Sequence, residues 1–181
     1  MAGPSILIKI AIASALVIET VVLLNLHSKG YVITTKGDTI ACTFKIALNK
    51  YKPEGDATFH LLQPEEVKEY HLNKRNETLR DVPFPNREKT YYMTVLDTGK
   101  ITLYKYYERH GKSGTLYIFA QKAGQPLLEI KGSSNTAAYK IAFANLISHS
   151  QPATNSFTKA SVYDEKNIVN VVKIYNDHAT P

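Results

Sequence analysis

The apolar positions along this chain fall into three regimes. Residues 6–26 are almost continuously apolar, interrupted by Lys9, Ser14, Glu19, Thr20 and Asn25. From Tyr31 to Lys131 the apolar residues recur every second position, in short runs bounded by Gly, Pro, Asn and Asp. That alternation predicts strands joined by tight turns. Beyond Gly132 the spacing changes to that of a helix, with one side of each turn apolar.

Within the strand region, residues 31–35 and 39–47 flank Lys36-Gly37-Asp38 and read as a first hairpin. Residues 49–56, with Pro53 and Gly55, read as a loop, and 57–62 as a further strand. Residues 63–67 suit one helical turn, with Pro64 at its start and Glu65 and Glu66 near its positive end. Short strands are expected at 69–72 and 77–82, and the two prolines of 83–89 mark a loop. Residues 91–96 and 101–107 form the clearest pair, around Asp97-Thr98-Gly99-Lys100. A two-residue loop there would match Leu96 with Ile101, Met93 with Tyr104 and Tyr91 with Tyr106. Residues 115–121 and 126–131 repeat the arrangement, matching Phe119 with Leu128 and Tyr117 with Ile130. Asn135 can cap a helix over 136–149, with Pro152 ending the segment. Ser161-x-x-Asp164 opens a second helix whose Ile168, Val171, Val172 and Tyr175 make one apolar stripe. The expected fold is α+β: an antiparallel meander, strongly curved or partly barrel-like, carrying two C-terminal helices.

Composition adjusts this picture only slightly. Twelve Tyr, no Trp and two Met suit sheets better than a helical bundle. Lys9 and Glu19 cancel, so the chain beyond residue 28 keeps the net charge of +6. A balance of this size serves solubility and mildly favours acidic partners. The single cysteine, Cys42, forms no intramolecular bridge. Its neighbours at two-residue spacing, Ile40 and Phe44, place it on the apolar side of a strand.

The apolar N-terminal run, with Lys9 and the amino terminus as its positive flank and Ser28 as a small residue at its end, has the pattern of a secretory signal peptide. Residues 1–28 are therefore expected to be a cleaved signal or, as the second choice, an uncleaved anchor, and residues 29–181 one β-rich domain. A permanent span would place Glu19 near the bilayer centre, at a cost of about 2.5–3.5 kcal/mol. A cytosolic helix would need cover on all sides and ranks third. Membrane contact is expected only through residues 1–28, if they remain attached.

Lys29-Gly30-Tyr31-Val32-Ile33 followed by Lys36-Gly37-Asp38-Thr39-Ile40 resembles the start of the mature region in a family of small exported β-rich proteins of Bacteroidota-type bacteria. The likeness continues through Pro64-Glu65-Glu66-Val67-Lys68-Glu69-Tyr70, residues 97–103 and Val172-Lys173-Ile174-Tyr175-Asn176. The resemblance implies export to the periplasm, outer membrane or exterior. Its motifs are turn and packing residues, and the family has no assigned function, so it transfers no catalytic residues.

Several short motifs invite chemistry. Asp97-Thr98-Gly99 spells the aspartic-protease tripeptide, but that reaction needs two such carboxylates sharing a proton, and the same residues suit a hairpin turn. Gly111-Lys112-Ser113 lacks the earlier glycine and the following helix of a phosphate loop. His60, Glu65, Glu66, Glu69 and His71 have no recognised ligand spacing, so no metal or cofactor is expected. Residues 104–112 remain: three tyrosines interleaved with Lys105, Arg109, His110 and Lys112. Aromatic rings beside cations can stack on sugars or bases while binding anions. Tyr104, Tyr106, Arg109 and Lys112 are the candidate binding residues, against the plain reading that the rings pack in the sheet. The expected function is non-enzymatic binding or support in the cell envelope, with an anionic glycan or another envelope component as partner and nucleic acid disfavoured. The alternative is a hydrolase assembled from dispersed carboxylates such as Glu65, Glu66 and Asp97.

Overall fold

The computed structural model describes residues 27–132 and 136–178. The expected signal segment, residues 1–28, lies outside the described residues except for His27 and Ser28, as does the expected cap Asn135. Among the described residues the fold is α+β: ten strands in an antiparallel arrangement and three C-terminal helices. The chain divides into two compact units, Met1–Glu77 and Thr78–Pro181.

The first unit holds β1 (His27–Thr34), β2 (Thr39–Lys45), β3 (Lys50–Pro53), β4 (His60–Leu61) and β5 (Val67–Leu72), in the order β5-β1-β2-β3-β4. The first hairpin forms as expected, with Ile33 opposite Thr39 and Gly37 at φ +93° in the turn. Its core side chains include Val32, Cys42, Phe44, Tyr51, Tyr70 and Leu72. Burial pushes the Cys42 thiol up to about 12, so at neutral pH it is a small packed hydrophobe rather than a nucleophile. The expected loop 49–56 instead contributes a strand. Asn49 turns the corner at φ 52°, and Tyr51 then pairs with Phe44 and is buried beside it. Pro53, read as a loop signal, is the last residue of that strand, where proline is tolerated. Residues 63–67 make the single turn expected, the Glu66 and Val67 amides both donating to the Gln63 carbonyl.

The second unit holds β6 (Glu77–Pro83, all but its first residue), β7 (Thr90–Asp97), β8 (Ile101–His110), β9 (Ser113–Lys122) and β10 (Leu128–Lys131) as a meander in chain order. Among the described residues neither strand order returns on itself, so the sheet is open where the sequence suggested a strongly curved or partly barrel-like one. Two registers differ from expectation. In β7–β8, Tyr104 faces Val95 rather than Met93, and Leu96 is an extra residue bulged between Val95 and Asp97. A two-residue shift keeps every side chain on its expected face. In β9–β10, Leu128 faces Ala120 rather than Phe119. That one-residue slip moves Leu128 to the opposite face, where it packs with Ile118, Ala120 and the helices.

Helices α1 (Thr136–Ile147), α2 (Gln151–Lys159) and α3 (Glu165–His178) cover this face. Helix α1 packs over β10, α3 over β7 and β8, and α2 against both α1 and α3. The middle helix corrects the sequence reading, in which Pro152 only ended a segment. Ser150 caps α2 by accepting from the Ala153 amide, and Pro152 sits in the first turn, where its missing N–H costs nothing. For α3 the cap is Asp164 rather than Ser161, its carboxylate accepting from the Asn167 amide at 2.9 Å. The expected stripe Ile168, Val171, Val172 and Tyr175 is buried in full. Among the described residues, no helix is long and apolar enough to cross a membrane.

One side chain ties α3 to the sheet. The Asn176 amide oxygen accepts from the Ile101 N–H at 2.8 Å, and its NH2 group donates to the Ile101 carbonyl at 2.9 Å and to Asp97 Oδ2 at 2.8 Å. Gly99 leaves room for it, because a Cβ there would stand 2.6 Å from the amide carbon. Asn176→Ala strands a buried N–H and should cost about 1–3 kcal/mol. Asp97→Asn keeps an acceptor and should cost less than about 1 kcal/mol. Urea titration of both variants checks this; equal losses, or a larger one for Asp97→Asn, would contradict the clamp.

Candidate functional site

The β8–β9 hairpin carries the candidate binding residues. Its strands pair one-to-one from Ile101 opposite Lys122 to His110 opposite Ser113. Gly111 at φ +63° and Lys112 form the tight turn, and the Ser113 hydroxyl donates to the His110 carbonyl at 3.1 Å. The Gly-Lys-Ser sequence is thus a hairpin tip. Because side chains alternate along a strand, Ile101, Leu103, Lys105, Tyr107 and Arg109 share the face that carries the helices. Tyr104, Tyr106, Glu108 and His110 point the other way. Lys105 marks the end of the helix cover, donating to Glu165 Oε1 at 2.9 Å.

The second face is an aromatic core. Tyr91, Met93, Val95, Tyr104, Tyr106, Tyr117 and Phe119 cluster there with Val82 and Phe84. Phe84, from the loop after β6, is the hub: its ring meets Tyr91, Tyr106, Tyr117 and Phe119 edge-on at 5.1–5.7 Å. Such contacts add about 0.5–1.5 kcal/mol each beyond burial. Arg87 closes this core from outside, its guanidinium 3.8 Å from the Phe84 ring centre. It donates two bonds to Glu108, at 2.6 and 3.0 Å. This pairing holds the Glu108 carboxyl below the usual glutamate range, helped by a bond from the Tyr117 hydroxyl.

The four candidates therefore separate. Tyr104 is buried and its hydroxyl accepts from Arg80 at 3.4 Å. Tyr106 is half-buried, 5.1 Å from Tyr91. Both belong to the aromatic core, and their rings are spent on packing. Arg109 and Lys112 are exposed, one on the helix-side face and one in the turn. The ring that shares Arg109's face is Tyr107, which the sequence reading passed over. Counting by twos from the apolar Ile101 and Leu103 identifies it, since Tyr107 and Arg109 have their parity and Tyr104 and Tyr106 do not.

The other candidates lie elsewhere. Asp97 is bonded to Asn176 and shapes the turn. Glu65 and Glu66 are exposed in the first unit, where their carbonyls accept from Thr35. His60 is 2.7 Å from Asp56, and His71 stacks on Tyr31 at 5.1 Å. Among the described residues, no three His, Cys, Asp or Glu side chains gather as a metal site would require. An open cleft of about 660 Å³ beside α3 is lined by Leu96, Glu165, Asn167, Val169 and two lysines, Lys166 and Lys173. Its one carboxylate is the one already held by Lys105.

Scans of family models, curated proteins and solved structures found no match to this chain.

The Arg87–Glu108 pair predicts a pH dependence. Glu108 titrates lower folded than unfolded, so its contribution to stability is present above the ordinary glutamate pKa of about 4.3 and is lost as pH falls below it. His110 Nε2, 3.6 Å from Glu108, acts in the same direction once protonated. Wild type should lose more stability than Arg87→Ala between about pH 6 and about pH 3. Parallel denaturation curves for the two across that range would remove the pair from the account.

Proposed function

We propose that this chain is an exported, non-enzymatic protein of the cell envelope that holds an anionic glycan at the tip of the β8–β9 hairpin. The observation that carries the reading is the sorting of charge at that tip. Arg109 and Lys112 are exposed, while Glu108, the one acid of the hairpin's end, lies on the opposite face in the grip of Arg87. A cationic end of this kind attracts polyanions without a carboxylate to repel them.

Four of the carboxylates described in the second unit are taken up in hydrogen bonds, while Asp81 keeps a buried Oδ1 without one. Asp97, Glu108, Glu129 and Glu165 are bonded to Asn176, Arg87, Tyr139 and Lys105 respectively. A hydrolase needs a general acid and a general base free to address one substrate. The export part of the reading rests on the apolar run behind Lys9 and on the family resemblance of residues 29–40.

Two measurements test these parts separately. Intact mass of the protein from its native host should show loss of about the first 28 residues, the usual range for a signal peptide. Full-length protein recovered from the cytosol would end the export reading. For the site, binding to a sulfated glycan should weaken steeply as salt rises. The double variant Arg109→Ala, Lys112→Ala should lower the log–log salt slope by about 2, one per cation removed. It should do so without unfolding, because exposed cations contribute little to stability. Equal binding by wild type and variant would sink the proposal.

A further inference from the structure

We infer that the helix-side face of the hairpin tip is a platform for one sugar ring, with Tyr107 as its floor and the ligand an acidic polysaccharide such as a polyuronate. This rests on the glycan reading above and names both the residue that reading lacks and the ligand class.

Among the described tyrosines and phenylalanines, Tyr107 is the one left exposed, with 57% of its surface accessible. The position is not a loose end. It lies inside a fully paired stretch, opposite Leu116, with three further pairs beyond it toward the tip. Its ring has a bed. Gly114, diagonal to it on β9, has no side chain, and a Cβ there would stand 2.4 Å from both Cζ and Oη of Tyr107. The far end of the ring thus rests over the Gly114 α-carbon. Any other residue at 114 would push it off.

Glycine within a paired strand is costly, by roughly 0.5–1 kcal/mol relative to alanine, and commonly marks a close approach. Here two groups approach, the Glu108 carbonyl oxygen, 2.7 Å from where a Cβ would stand, and the chain's own Tyr107 ring, whose outer side is left in water. A ring fixed on one side and open on the other presents a π-face at little further entropy cost, which is what stacking on a sugar or base requires.

The surroundings select the ligand. Along β8 the positions that share this face are Lys105, Tyr107 and Arg109; along β9 they are Gly114, Leu116 and Ile118. None is acidic. Lys105 is occupied by Glu165, so among the described residues the free cations of the tip are Arg109, about 7 Å along the strand from Tyr107, and Lys112 in the turn. A pyranose has an apolar C–H face and, in a uronate, a carboxylate at its rim. The C–H face suits Tyr107 and Leu116, and the carboxylate suits the planar fork of Arg109. A neutral glycan would leave the cations unused.

The test uses the full chain with polygalacturonate oligosaccharides as the probe, titrated calorimetrically at low and moderate salt, with single-stranded DNA in a parallel arm. Tyr107→Ala should weaken oligosaccharide binding about tenfold or more, and Tyr107→Phe, which keeps the ring, should stay within about twofold of wild type. The salt slope should be unchanged in Tyr107→Ala, because no charge is removed, and reduced in Arg109→Ala, Lys112→Ala. Far-UV circular dichroism and urea midpoints of the Tyr107 variants should match wild type, since the side chain is exposed. If Tyr107→Ala binds like wild type while the cation variant does not, the platform is wrong and the anionic site stands. Wild type that binds neither polyanion overturns both. Tighter, Tyr107-dependent binding of single-stranded DNA would make the platform a nucleobase site and overturn the polyuronate assignment.

Discussion

The strands of the second unit carry apolar side chains on both faces, and each face has to be kept from water. Ile101, Leu103, Ile118, Ala120 and Ile130 lie on one side, and Met93, Tyr104, Tyr117 and Phe119 on the other. Leaving either uncovered would forgo about 1.5–3 kcal/mol for each large side chain. The three helices cover the first face. Phe84, with Arg87 over its ring, covers the second. The β7–β8 bulge leaves Leu96 outside the ladder, packed against the helix-side core.

The candidate surface is what these two covers leave over. On the helix side, cover along β8 stops at Lys105 and its bond to Glu165; on the aromatic side it stops at Glu108 and its pair with Arg87. The hairpin runs on for a few residues past both boundaries. There Tyr107, Arg109 and Lys112 are exposed because, among the described residues, no helix or loop reaches them, while Glu108 faces the other side. Rigid pairing down to His110 and Ser113 holds Tyr107 and Arg109 on a strand, with Lys112 in the tight turn that closes it, which favours defined geometry in a binding surface.

Most of the strands, most turns and the last helix were legible in the sequence because their signals are local, though of the strand expected over 57–62 only His60–Leu61 forms. Alternation around Gly37 announced the first hairpin, and the stripe from Ile168 to Tyr175 announced α3 face by face. Strand β3 was not legible, since Pro53 and Gly55 are loop signals and the burial of Tyr51 depends on a partner, Phe44, distant in sequence. Helix α2 was obscured because a proline can end one helix or start another, and Ser150 decides which only once its side chain is seen to cap.

For the candidate site the sequence by itself determined the inventory: a run of rings and cations from Tyr104 to Lys112 with a single acid, on a strand pair closed by a glycine turn. Strand alternation also implied that neighbouring residues face opposite ways, so the parity that separates Tyr106 from Tyr107 was already present. Only the tertiary structure decided which parity is covered. Both faces of β8 are apolar near Ile101 and Tyr104, so local pattern gives no preference between them. The choice came from contacts made across long stretches of chain, by Phe84 and Arg87 on one side and by α3 on the other. Period-two arithmetic divides side chains between two faces; what lies over each face is set by packing, which depends on residues far away in the sequence.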